Sequence, residues 1–492
     1  MKKAILLLSI LIIASFLRLY NLAPADNSGG FLPPGLYPDE AMNGNNAQEA
    51  LDTGNFKVFY PENFGREGLF INIQALFINK FGHQPWALRL PSAIFGILTV
   101  LGLYFFTKEL FGGKNEILAL LAAFLLATSF WHINFSRIGF RAITAPFFLT
   151  WALYFLIKSI NADRRHILYA LAGGLLYGLG FYSYIAYRAT PILILFAGYF
   201  ILEKSSGKNQ KQIVKNFIMF LIAAFLIALP IGFYFLRHPA DFLGRTAGIS
   251  IFNSQAPLKD LTFNILKTAG MFNVAGDFNW RHNIAGRPLL FWPAGIFFLT
   301  GAYFSLKKIF KGKQWLSPES IVWIWFLIAF LPVVISDEGL PHALRSILMV
   351  PPVFILSAIG GLKIYEFLKL KLNLTLLLSV CYLLFSLLIF EAYCNYFITW
   401  GQNPNVKNAF AYNDYVIAQH LNSLSKEIPK YVVIKDAQGK IERDTPISLQ
   451  TILFLTDTFD NKKRKEKNFF YLNKKEFESE KILKNGIVLA LP

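Results

Sequence analysis

The sequence predicts an all-α polytopic membrane protein carrying a small α/β domain at its C-terminal end, and three observations carry that prediction. The 492-residue chain is 54% hydrophobic and only 16% charged, against roughly 45–50% and 25% in soluble domains. Apolar segments long enough to cross a hydrocarbon core of about 30 Å recur along it. The Lys and Arg residues between those segments concentrate in alternate loops, as they do when short cationic loops stay in the cytoplasm.

Taken in order, the spans are expected near residues 4–20, 86–106, 116–133, 142–160, 167–185, 189–203, 216–236, 289–306, 321–336, 346–362 and 374–398, about eleven helices in all. With the N-terminus inside, the inner loops carry Lys2 and Lys3; Lys108 and Lys114; Lys158, Arg164 and Arg165; Lys204, Lys208, Lys211 and Lys215; Lys307, Lys308, Lys311 and Lys313; and Lys363, Lys369 and Lys371. The opposite side holds the longer polar segments 21–85, 237–288 and 399–492. The expected topology is therefore N-in, C-out, with residues 1–398 as the transmembrane domain and 399–492 as an outer domain. The net charge of +18 follows from this topology and from attraction to anionic headgroups, and nucleic acid is not an expected partner. Ala23-Pro24-Ala25 resembles a leader cleavage site, but Arg18 and Tyr20 at the end of the first segment fit a retained anchor better. Cys381 and Cys394 are too few for a disulfide framework and lack metal-type spacing. Without a phosphate-binding Gly-rich loop, zinc motif or nucleophile elbow in its required context, nucleotide chemistry is not expected.

The first outer segment opens on Tyr37-Pro38-Asp39-Glu40-Ala41. An acidic pair directly after an apolar span stands where an enzyme working at a bilayer surface holds a catalytic carboxylate; a plain N-cap role for Asp39, ahead of a helix over 40–51, fits the spacing equally well. A second helix is expected over 68–81, lying in the interface with Asn72, Gln74, Asn79 and Lys80 among its polar positions. In the long segment 237–288, the stretch 276–283 is dense in hydrogen-bonding groups, and Asp277, Arg281 and His282 are its candidate substrate-loop residues. A surface ion pair explains Arg281 as well. Beyond Trp400, residues 412–424 read as a helix, while 431–434, 452–455, 469–472 and 487–491 read as buried strands and the charged run 462–467 as a solvated loop.

Cationic groups mark the outer ends of later spans: Arg137 and Arg141 in Ser136-Arg137-Ile138-Gly139-Phe140-Arg141, and His342 and Arg345 in Pro341-His342-Ala343-Leu344-Arg345. Arg137 and Arg141 would share one face if that stretch is helical. Arginine suits phosphate because its planar fork matches phosphate oxygens and never deprotonates. Snorkelling to headgroups is the plain alternative for each arginine, and an ordinary interfacial imidazole is the alternative for His342. Arg89 is expected to pair with an acid of the first loop, in a structural role.

The block 37–112 resembles the GT-C membrane glycosyltransferases, in the branch of the protein O-mannosyltransferases and the lipid A aminoarabinose transferase (the glycosyltransferase family 39, or PMT-like, branch). Pro38-Asp39-Glu40, Ala87-Leu88-Arg89-Leu90-Pro91-Ser92-Ala93 and Lys108-Glu109-Leu110-Phe111-Gly112 carry the resemblance. It implies that Asp39 is catalytic, with Glu40 as alternate or orienting partner. It also implies a polyprenyl-phosphate sugar as donor, and a lipid-linked glycan or protein hydroxyl as acceptor on the extracytoplasmic side of the cell membrane. Arg137, Arg141, Arg345 and His342 are then the candidates for the donor phosphate. Gly65-Arg66-Glu67-Gly68 stands where some relatives carry a Lys-Pro-Pro-type element. No metal is assigned: Asp39, Glu40 and Asp277 offer hard oxygen ligands to a divalent cation, but no ligand cluster is local in sequence and the resemblance requires none. A transporter of lipid-linked oligosaccharide or polysaccharide is the alternative class; it would place its charges within the spans, whereas here they gather at the ends.

Overall fold

Long runs of Leu, Ile, Phe and Ala with few interior breakers make helices, and each segment read as a span carries one. The computed structural model describes residues 2–24, 30–113, 115–161, 165–204, 210–248, 250–434, 441–442, 445–473 and 486–491. Ala25, Lys114, Arg164 and Lys208 lie outside the described residues. The helices over the expected spans are Lys2–Leu19, Pro85–Leu110, Glu116–Ala127, Thr144–Asn161, His166–Gly180, Pro191–Lys204, Gln210–Arg237, Trp292–Phe310, Pro318–Val334, Val350–Lys369 and Leu374–Tyr393. Among the described residues, five helical stretches are long and apolar enough to cross a membrane: Pro85–Leu110, Arg141–Ile160, Gln210–Arg237, Ile347–Lys369 and Leu374–Trp400. The chain divides into two compact units.

The first unit comprises Met1–Tyr20, Ser92–Ser136 and Arg141–Trp400. Its helices meet through small residues. A Cβ on Gly301 would overlap the Leu356 carbonyl, and one on Gly360 would overlap the Phe297 carbonyl, so the helices Trp292–Phe310 and Val350–Lys369 touch backbone to backbone there. Such close approach is what holds helices together where hydrocarbon surrounds them and the hydrophobic effect gives no preference for a neighbour over lipid. The first helix is anchored by Arg18, fully buried, which donates to the Ala14 and Ala127 carbonyls at 3.1 Å and meets His132 Nδ1 at 2.8 Å. Lys3 and Lys108 both pair with Glu116, at 2.9 and 2.8 Å, and Lys158 pairs with Glu109 at 3.1 Å, so these helix ends gather at one end of the unit.

The second unit comprises Asn21–Pro91, Arg137–Phe140 and Gly401–Pro492. The segment beyond Trp400 thus packs with the first outer segment in one compact body. The helices Pro38–Thr53 and Gly68–Phe81 lie together, and the short helix Gln450–Thr456 rests on the former. Their shared core holds Leu36, Ala41, Ile71, Ala75, Leu88 and Phe454. A parallel sheet places Lys430–Ile434 between Phe469–Asn473 and Ile487–Leu491, with Val432 opposite both Tyr471 and Leu489.

Three expectations are corrected here. Residues 452–455 form helix, not strand, because all seven residues of Gln450–Thr456 are buried, and a short, uniformly apolar run gives no periodicity to tell the two apart. The run 462–467 is mostly the helix Asn461–Glu466, started by Asp460, whose side chain accepts from the Lys462 and Lys463 N–H groups at 3.1 and 3.2 Å. Gln74 belongs to the buried face of its helix and donates to the Leu88 carbonyl at 2.8 Å.

At the centre of this unit Glu40 meets Arg89, both fully buried. Arg89 Nε donates to Glu40 Oε1 at 2.8 Å and Nη2 to Oε2 at 2.9 Å. Two of the remaining guanidinium hydrogens reach the Pro33 and Gly35 carbonyls at 2.6 and 2.9 Å, and the Phe31 and Phe410 rings flank it at 5.9 and 5.7 Å. The expected structural pairing of Arg89 is therefore what the fold contains.

Two outcomes follow from this packing. Gly360→Leu is expected to lower the stability of the purified protein by about 1–3 kcal/mol or more, read as a drop in thermal midpoint and loss of a monodisperse peak. Gly232→Ala, whose Cβ would meet nothing within 4 Å, leaves both unchanged. Arg89→Leu leaves a carboxylate buried without its cation, at a cost of about 3–5 kcal/mol; combining it with Glu40→Gln is expected to recover most of that loss in the same melts.

Candidate active site

Pro38 starts the helix Pro38–Thr53 by occupying its first turn, where no N–H is needed. Tyr37 is the N-cap, so Asp39 lies inside the first turn and is not the cap, correcting that alternative. Glu40 reaches back to accept from the Tyr37 N–H at 3.3 Å. Helix N-termini favour negative charge, and the chain places two carboxylates there with opposite surroundings. Glu40 is fully enclosed: besides Arg89 it accepts from the Gly139 N–H at 2.7 Å. Asp39 is half-buried, and its Oδ1 accepts from Asn63 Nδ2 at 3.0 Å. Asn63 sits at φ 52°, a left-handed conformation that Asn tolerates better than most residues.

A polar network surrounds this turn that the sequence reading did not single out. Arg66, buried, donates to Asn43 Oδ1 at 2.7 Å and Asn46 Oδ1 at 2.5 Å. Asn43 in turn donates to the Gly139 carbonyl at 3.2 Å, and Asn45 donates to Gln450 Oε1 at 2.8 Å. The available signal was composition: Asn43, Asn45 and Asn46 are poor helix formers crowded into one helix, retained for what their side chains hold.

The four cationic candidates differ in setting. Arg137 is in the second unit, fully buried, and donates to the Leu32 carbonyl at 2.9 Å. Arg141 is in the first unit, half-buried, with its guanidinium 5.9 Å from the Tyr184 ring centroid. The stretch between them is not helical, so the expectation of a shared helix face is corrected; the Gly139 backbone is instead turned toward Glu40 and Asn43. Arg345 is buried and paired with Glu338 at 2.6 Å.

Asp277, His282 and His342, from two loops of the first unit, do come together. His282 Nδ1 lies 2.9 Å and His342 Nδ1 3.8 Å from Asp277 Oδ2, and the two imidazoles face each other at 4.9 Å. Burial is the main cause that lowers the His282 pKa from its ordinary value, against the raising effect of Asp277. Arg281 contributes its carbonyl, which accepts from Asn134 Nδ2 at 2.7 Å. Arg287, also not anticipated, pairs with Glu391 at 2.8 Å beside a cleft bordered by Ser129, Asn283 and Phe291.

Residues 69–233 match the family described as dolichyl-phosphate-mannose-protein mannosyltransferase. A Bacillus subtilis (strain 168) protein described as "Putative mannosyltransferase YkcB" is 26% identical over 208 residues, 42% of this chain and 27% of that one. The chain therefore spans little more than a quarter of that curated relative. The crystal structure of the Archaeoglobus fulgidus oligosaccharyltransferase in the apo form is similar with a TM-score of 0.56 at 15% identity, over 92% of this chain and 64% of that one. ArnT from Cupriavidus metallidurans bound to undecaprenyl phosphate is similar with a TM-score of 0.52 at 15% identity, over 92% and 84%. At such identities the structures speak to the fold alone: the chain shares the fold of these two proteins, and over residues 69–233 it resembles the matched mannosyltransferase family.

Proposed function

We propose that the chain is an inverting glycosyltransferase of the cell membrane, moving a single sugar from a polyprenyl-phosphate donor to a hydroxyl of a lipid-linked glycan or protein on the outer face. The observation that carries this reading is the contrast within one helical turn. Glu40 is consumed by Arg89 and Gly139, whereas Asp39 is half-buried and oriented by Asn63.

In the proposed reaction Asp39 accepts the proton of the acceptor hydroxyl as its oxygen attacks the anomeric carbon. The bond from that carbon to the phosphate oxygen breaks, and polyprenyl phosphate departs with the electron pair. One displacement inverts the anomeric centre. Glu40 takes the orienting role, since both its oxygens are engaged. For the negative charge on the departing phosphate, guanidinium donors are required; Arg141 and Arg345 are assigned to it ahead of Arg137, whose side chain is fully buried. His342 stays with the donor phosphate, and Asp277, Arg281 and His282 form the loop region assigned to the substrate. The mannosyltransferase descriptions of the matched family and relative, and the undecaprenyl phosphate bound to ArnT, support this class of donor. For topology we keep about eleven crossings, N-in and C-out, a reading supported by Lys3, Lys108 and Lys158 pairing at shared helix ends.

Replacing Asp39 by Asn is expected to reduce release of polyprenyl phosphate from a panel of polyprenyl-phosphate sugars by about 10²–10⁴-fold. Mass spectrometry of the lipid product, with the thermal midpoint unchanged, checks it. Wild-type turnover in this variant would remove Asp39 as the base.

A further inference from the structure

Outside the carboxylate turn, the first unit brings three residues assigned above to substrate into one cluster, and that assignment gives their convergence no chemistry of its own. We propose that Asp277, His282 and His342 form a binding site for a divalent transition metal of the zinc class, with its remaining positions open to water or a phosphate oxygen.

The three side chains each offer one ligand atom, and these atoms lie within 4.8 Å of one another. They arrive from different parts of the chain: Asp277 and His282 from the loop before the helix Trp292–Phe310, His342 from the loop before the helix Val350–Lys369. The Asp277 Oδ2 spacings of 2.9 and 3.8 Å to the two Nδ1 atoms bracket the separation of about 3.3 Å between neighbouring ligands of a tetrahedral zinc with bonds near 2.0–2.1 Å. Small side-chain shifts would equalise them.

Hydrogen bonds fix the carboxylate and one imidazole of this cluster in place. His282 Nδ1 is within hydrogen-bond distance of Asp277 Oδ2, and the same oxygen accepts from the Ala343 N–H at 2.8 Å while Oδ1 accepts from the Asn279 N–H at 2.8 Å. His342 Nδ1, 3.8 Å from Oδ2, is too far for a hydrogen bond, and the Arg345 N–H points at it from 3.4 Å. A nitrogen in that role is unprotonated, so a modest turn of the ring would present it to a cation held by the carboxylate.

The surrounding structure holds the ligands ready. The Asn279 and Ala343 amides fix the carboxylate, while Phe135 packs against His282 at 5.6 Å between ring centroids. His342 keeps 15% of its side chain exposed, which gives the metal a way in. Two imidazoles with one carboxylate suit zinc, cobalt or nickel better than calcium or magnesium, which prefer all-oxygen sites. Binding would release any proton held between Asp277 and His282.

The test uses the full-length protein in detergent, purified without an oligohistidine tag and stripped with chelator. Cobalt(II) added to it is expected to give visible d–d absorption saturating at one equivalent, displaced by zinc, with a rise in thermal midpoint. Asp277→Asn and His342→Gln should each weaken cobalt binding at least about tenfold. Stripped wild-type protein that stays monodisperse yet gives no saturable cobalt signal overturns the proposal, and does so even if the variants fail to fold. Binding that is indifferent to both substitutions in folded protein overturns it equally.

Discussion

Everything that positions the candidate carboxylate depends on one buried ion pair. Taking Glu40 and Arg89 out of water costs several kcal/mol for each charge, and their attraction offsets this only if the remaining hydrogen-bonding groups are satisfied as well. They are satisfied here by backbone: the carbonyls of Pro33 and Gly35, and the amides of Tyr37 and Gly139. The pair therefore acts less as a source of net stability than as a fastening that joins three stretches of chain in one register. Gly139 shows how little room is left, since a Cβ there would stand 3.1 Å from Gln74 Nε2 and 3.2 Å from Glu40 Oε1.

A rigid Glu40 fixes the first turn of its helix, and Asp39 is the residue next to it. General base chemistry needs a carboxylate that is oriented yet reachable by an acceptor hydroxyl. Two adjacent acids in the same environment would compete for the same partners. By giving one a guanidinium and the other an amide, the fold separates the fastening from the carboxylate proposed as base while keeping them one residue apart.

Much of this arrangement was legible in the sequence, and the failures have physical causes. The helices at the expected spans were readable because an apolar run of that length has few other folded states, and Arg89 was readable because a cation beside an apolar segment needs an acid. Residues 452–455 misread as strand because total burial erases amphipathic periodicity. Gln74, grouped with the polar positions of its helix, is instead buried because the Leu88 carbonyl of a later helix accepts its N–H. Arg137 and Arg141 lost their presumed common face because Glu40 and Asn43, about a hundred residues away in sequence, recruit the backbone between them. Asp277 and His282 were read together from one polar stretch, but His342 was not joined to them for the same reason: it is distant in the chain and only the loops bring it there.

The most direct measurement compares transfer by two folded variants, Asp39→Asn and the double substitution Glu40→Gln with Arg89→Met, using the same donor lipids and the same thermal melts. Loss of turnover by about 10²–10⁴-fold in the first, with a clearly smaller loss in the second, is the expected pattern. An active Asp39→Asn variant beside a folded but inert double variant would reverse the roles assigned to the two carboxylates.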